Sequence, residues 1–183
     1  HAGVSVGPVA ATHQMLEDVG MMRMLPNMTV ISPGDAEEAK KAVVAAAQTR
    51  GPVYLRFGRA ATPTFTTSET PFHIGKALVL WDSDAPKVAI LSTGAMSYAA
   101  LEAASALAKE DIQIIVLHVP TIKPLDEESI LAAARRTGRV ITVEEHQAAG
   151  GFGSSVAEFL SEHHPVPIKR LGIQNQFGQS GSP

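Results

Sequence analysis

The chain has 183 residues and a net charge of −3, enough for one good core or for two small domains sharing an interface. Its charges are spread along the sequence, with no basic stripe for nucleic acid and no acidic tail, and no apolar run approaches the roughly 18–20 residues of a membrane span. There is no cysteine, which excludes disulfides, thiolate metal sites and cysteine nucleophiles and fits a reducing, cytoplasmic compartment. The hydrophobic fraction is 45% and the aromatic fraction 5%, so Ala, Val, Leu and Ile must build the core, as where helices pack on parallel strands.

Residues 1–14 (HAGVSVGPVAATHQ) are rich in Gly, His, Ser and Thr and predict a loop of tight backbone geometry. Leu16, Val19 and Met22 predict a helix over 15–24, stopped by Pro26, and a short strand over 28–31 follows. Asp35 with Glu38 three residues on is a capping-box pattern, opening an alanine-rich helix to about 49 that Gly51-Pro52 ends. A strand is expected over 53–57. The character then changes around Pro63 and Pro71, where Thr and Ser abound without apolar period. A first unit over 1–60, a linker over 61–75 and a second unit over 76–183 are therefore expected.

In the second unit, strands at 76–80 and 88–91 lead through Ser92-Thr93-Gly94 to a helix at 96–109. A strand at 112–117, an Asp126-capped helix at 127–136, a strand at 139–144, a glycine-rich turn, a helix at 154–163 and a strand at 168–171 complete it. This alternation predicts an α/β fold, a mostly parallel sheet covered by helices on both faces. The chain opens on His1 rather than Met, and 174–183 lack any helical pattern, so it reads as a piece of something longer.

His1 and His13 flank a loop containing Gly3 and Gly7. On spacing alone two readings stand: ordinary polar loop residues, or imidazoles that hydrogen-bond sugar hydroxyls or phosphate and move protons near neutral pH. Gly150-Gly151-Phe152-Gly153 precedes a helix, but its spacing is not the dinucleotide fingerprint, and tight strand-to-helix packing is the favoured reading over phosphate binding. Glu144-Glu145-His146 at a strand end suits a structural or interface role. His163 and His164 suit a helix C-terminus, and Met15, Met21, Met22, Met24 and Met28 suit core or interface filling.

The order of the loop residues, H-A-G-V-S-V-G through A-T-H-Q-M-L-E-D, then R-M-L-P-N-M-T-V-I-S-P-G-D-A-E-E-A, resembles the pyrimidine-binding domain of transketolases. Val140-Ile141-Thr142-Val143-Glu144-Glu145-His146 with Gly150-Gly151-Phe152-Gly153-Ser154 is similar to the transketolase C-terminal domain. Related 1-deoxyxylulose-5-phosphate synthases and 2-oxo-acid dehydrogenase E1 β-subunits share that pattern. The resemblance implies the end of a thiamine-diphosphate pyrimidine-domain sheet followed by a small three-layer α/β/α C-terminal domain. It also implies part of a transferase that moves a two-carbon ketol unit between sugar phosphates in carbohydrate metabolism. His13 falls where the family contacts substrate beside the reacting carbonyl, and His1 where it helps hold the sugar-phosphate end. Arg59 falls where it binds phosphate, with Arg56 as the neighbouring alternative. The pattern departs at Val9, which stands in place of an aspartate that accepts a bond from a substrate hydroxyl. The glutamate that activates the cofactor and the G-D-G…N motif for its diphosphate and Mg²⁺ are not in this sequence. The resemblance thus implies thiamine diphosphate with Mg²⁺ bound mainly outside this chain, and a homodimer or an N-terminal transketolase subunit as partner. A non-catalytic assembly module is the alternative class.

Overall fold

The computed structural model describes residues 1–182. Its elements run in chain order α1 (Asp18–Met24), β1 (Thr29–Ile31), α2 (Ala36–Gln48), β2 (Val53–Leu55), β3 (Leu78–Trp81), β4 (Val88–Ser92) and α3 (Met96–Ala108). Then come β5 (Ile114–His118), β6 (Thr121–Lys123), α4 (Glu127–Thr137), β7 (Val140–Gln147), α5 (Phe152–His163) and β8 (Ile168–Ile173). No helix among the described residues is long and apolar enough to cross a membrane.

The larger sheet has the order β3-β5-β4-β7-β8. Its strands run parallel except β3, which pairs antiparallel with β5 at one edge. β4 and β5 read as nearly continuous apolar runs because both faces are covered. Alternation sends Ala89 and Leu91 toward Ile130, Ala134, Val156 and Leu160 of α4 and α5, while Ile90, Ile114 and Val116 meet Ala100 and Ala104 of α3. The expected mostly parallel three-layer arrangement is therefore present.

Both carboxylate caps form. Asp126 accepts from Ser129 N at 3.2 Å and starts α4, which Gly138 ends in the left-handed region at φ 63°. Asp35 accepts from Glu38 N at 2.9 Å, but the capping box is altered: Glu38 Oε2 accepts from Gly34 N at 2.7 Å and meets His118 Nε2 at 2.7 Å. His118 Nδ1 in turn lies 2.5 Å from Ser97 Oγ, and Ser92 Oγ donates to that oxygen at 3.0 Å. This buried chain of side chains ties α2 to β5, β4 and α3.

Several boundaries differ from the sequence expectation. The first helix starts at Asp18, because Met15 is drawn into a parallel bridge with Ala2 and Leu16 N donates to Glu17 Oε2 at 3.1 Å. β2 stops at Leu55, since Arg56 turns inward to ion-pair partners. Residues 59–75 carry no helix or strand but are pinned: Asp35 accepts from Phe65 N at 2.8 Å, Thr66 N at 2.6 Å and Thr66 Oγ1 at 2.7 Å. β6 has no counterpart in the sequence expectation. It pairs antiparallel with β1, so the smaller sheet has the order β2-β1-β6.

Candidate functional site

The loop of residues 1–14 is closed at its neck by Met15 N donating to His1 O at 3.2 Å and Gly3 N donating to Met15 O at 3.0 Å. Ala2 N donates to Phe57 O at 3.2 Å, which lays the loop's start along the segment after β2. Arg59, on that segment, reaches Val6 O with Nη1 at 3.5 Å. These contacts set Arg59 against the loop that carries His1 and His13, and all three side chains are exposed. His13 follows a short 3-10 turn at Ala10–Thr12, and its Nδ1 lies 2.9 Å from Thr12 Oγ1.

Beneath the neck lies Arg56, buried to 8% exposure. It donates from Nε and Nη2 to the Asp18 carboxylate at 2.8 and 3.2 Å, and from Nη2 to Met15 O at 3.2 Å and Glu145 O at 2.9 Å. Tyr54 Oη also donates to Asp18, at 2.8 Å. Burial opposes ionisation of Asp18, but the Arg56 bonds and charge, helped by Tyr54, hold it below the usual carboxylate range. Burial and the Asp18 bond push the Tyr54 hydroxyl up to about 12. Of the two arginines that compete for a phosphate-reading role, Arg56 is thus committed internally. Arg59 has, among the described residues, only the long bond to Val6 O.

A cleft of about 280 Å³ opens beside this cluster, lined by Ser32, Gly34, Arg56, Gly58, Gly94 and Glu145 among others. It sits just past the carboxyl ends of β1, β2 and β4, where open α/β sheets place ligands. A larger groove of about 520 Å³ lies elsewhere, against α1, between Met21, Met24, His146 and Phe177. Met21 and Met24 are therefore surface-exposed rather than core, whereas Met22 and Met28 pack against the core.

The Glu144-Glu145-His146 run is structural in detail. Glu144 accepts from Phe152 N at 2.7 Å and Gly153 N at 2.8 Å, so the α5 N-terminus is already filled by a carboxylate, and a Cβ at Gly151 or Gly153 would collide with its neighbours. His146 Nε2 accepts from Gly20 N at 3.3 Å while Nδ1 faces Gln147 O at 2.7 Å, an arrangement that needs the neutral ring; burial lowers its pKa accordingly. His163 bonds Phe159 O at 2.9 Å and stacks on the Phe159 ring near the end of α5.

Burial raises the Glu144 carboxyl to about 7, against the pull of the Gly153 and Phe152 amides and the Arg56 and Arg170 charges. An unfolded glutamate titrates near about 4.3. Between those values the folded chain keeps a proton the unfolded chain has lost, so this group makes stability fall as pH rises through that window and stay level above it. Glu144→Gln should therefore show a shallower fall in melting temperature between about pH 5 and pH 7.5; identical slopes in the two proteins would remove Glu144 as the source.

Among the described residues no cluster of three or more His, Asp or Glu is arranged to hold a metal ion.

Two family models match the chain: the transketolase pyrimidine-binding domain over residues 1–64 and the transketolase C-terminal domain over residues 75–183. The 6-deoxy-6-sulfo-D-fructose transketolase subunit SqwH of Clostridium sp. (strain MSTE9) is 40% identical over 98% of this chain and 55% of its own length. One of the subunits of the apulose-4-phosphate transketolase of Phocaeicola vulgatus is 41% identical over 95% of this chain and 55% of its own length. A solved structure described as a split gene transketolase, inactive beta4 tetramer, superposes with a TM-score of 0.89 at 41% identity, covering 98% of this chain and 57% of that one. The chain spans little more than half the length of these relatives. With a family model covering more than half of its residues, the chain belongs to the transketolase family.

Proposed function

We propose that this chain supplies the substrate-facing loop and C-terminal domain of a thiamine-diphosphate-dependent ketol transferase acting on sugar phosphates. The observation that carries this is the closed loop over residues 1–14, which exposes His1 and His13 beside the one arginine of the pair that is not internally committed. In this reading Arg59 grips the anionic end of the sugar with its planar fork. His1 helps hold that end. His13 hydrogen-bonds the oxygen at the reacting carbon and holds or moves its proton as the carbon–carbon bond breaks. Two relatives are named for a sulfo sugar and a phosphorylated sugar, in keeping with an anion-reading site.

Thiamine diphosphate, which the family uses, would supply the carbanion chemistry. The G-D-G…N motif for the diphosphate and Mg²⁺ is not in this sequence, so the cofactor is assigned mainly to an N-terminal transketolase subunit, and a homodimer of this chain is the other partner proposed. The setting proposed is cytoplasmic. Val9, half-buried in the loop, offers no acceptor to a substrate hydroxyl, so preference among ketoses rests on other groups.

The test is to assemble the chain with a subunit carrying the diphosphate-binding domain and assay ketol transfer. Activity is expected; an intact assembly without activity would overturn the reading in favour of a non-catalytic module. Arg59→Gln should raise KM for a phosphorylated ketose by about 10- to 100-fold, the worth of one lost charge-assisted contact, and leave an unphosphorylated ketose nearly unaffected. An equal effect on both substrates would remove Arg59 from the phosphate.

A further inference from the structure

The neck bonds close the loop of residues 1–14, and the loop is held a second time by a side chain from the other half of the chain. Glu145 lies near the end of β7. Its carboxylate accepts from Ser5 N at 2.5 Å, across 140 residues of sequence. Gly3, in the left-handed region at φ +82°, lies directly against that carboxylate, and a Cβ there would collide with Glu145 Cδ. The backbone of Glu145 is fixed in turn, because Arg56 Nη2 donates to Glu145 O at 2.9 Å. Glu145 also lines the cleft. One residue of the C-terminal half therefore touches the loop, the buried arginine beneath it and the hollow beside it.

We propose that Glu145 is the positioning residue through which the C-terminal half fixes the loop bearing His1 and His13 against the cleft-lining end of β7. What the loop does there rests on the transfer reading above; the anchoring does not. Removing the acceptor leaves Ser5 N without its charge-assisted partner, and the loop opens more often while its neck stays closed.

The test compares the full chain with Glu145→Ala, Glu145→Gln and Gly3→Ala by amide hydrogen exchange. Glu145→Ala should speed exchange over residues 4–7 by about 10- to 100-fold and leave the Gly3 amide of the neck and the Phe152 and Gly153 amides of α5 protected. Glu145→Gln, which keeps an acceptor oxygen, should restore most of the protection, and Gly3→Ala should reproduce the loss from the loop side. Unchanged exchange in Glu145→Ala, or a Gln variant as impaired as the Ala variant, would overturn the proposal. In the complex with the diphosphate-binding subunit, Glu145→Ala should raise KM for the sugar phosphate more than it lowers kcat, with rescue by Gln; kinetics identical to wild type would also overturn it. A wild-type complex that assembles but transfers nothing would sink the transfer reading, and the exchange result would still decide the positioning role.

Discussion

Replacing Arg56 by Met is expected to destabilise the chain by about 3–5 kcal/mol, the usual cost of stranding one partner of a buried ion pair. Asp18 and Arg56 are 2% and 8% exposed, so neither reaches water if the other is removed. Without Arg56, the Asp18 carboxylate would keep only the Tyr54 hydroxyl, and the carbonyls of Met15 and Glu145 would lose a donor. Chemical denaturation at neutral pH measures the effect. The pH dependence adds a second reading. Asp18 is held low in the folded chain, so its contribution is present above the unfolded carboxylate range and disappears as pH falls through its folded value. In Arg56→Met the group should titrate upward instead, and acid should now relieve the strain. Combining the change with Asp18→Leu should recover part of the loss, because no lone charge remains buried. A single-mutant cost below about 1 kcal/mol would show that the cluster is not what holds the neck of the loop.

His13→Ala is expected to lower kcat for ketol transfer in the assembled enzyme by about 10²- to 10⁴-fold, the range for a positioned proton-transfer group. Its effect on the melting temperature should be small. The imidazole is exposed, and among the described residues its one side-chain partner is Thr12 Oγ1, so folding asks little of it. Arg56→Met and His13→Ala thus separate two layers of one region: the first should fail in stability, the second in turnover at normal stability. Unchanged kcat in His13→Ala, with wild-type activity established, would show that the loop histidine acts as an ordinary polar residue.

The sequence makes legible whatever is decided within a few neighbouring positions. Asp35 and Asp126 are helix caps because a short acceptor three residues before a free amide is a local rule, and both bonds form. The near-continuous apolar runs of β4 and β5 announce strands covered on both faces. What depends on distant partners is not legible. Arg56 and Arg59 are three residues apart and chemically identical; Asp18, 38 positions away, decides which one is buried. Glu38 looks like half of a capping box, and only the fold shows it bonded to His118, 80 positions on. Thr121–Lys123 carries no pattern of its own and becomes a strand because β1 offers it an edge. The Glu144-Glu145-His146 run is legible as structural from its place at a strand end. Its division of labour, with one glutamate filling a helix terminus and the next meeting a loop amide, emerges only from the long-range contacts.

That borrowed edge limits how the chain can be taken apart. A cut through the segment around 61–75 looks natural on composition, yet it separates β1 from β6 and leaves a two-stranded ribbon with a bare central strand. The same cut strands Glu38 and His118 as unpartnered buried groups on opposite fragments. For anyone recombining relatives of this chain, the exchangeable unit is the pair of halves together. A crossover inside it would yield pieces that seek each other, or the wrong neighbour, through exposed strand edges.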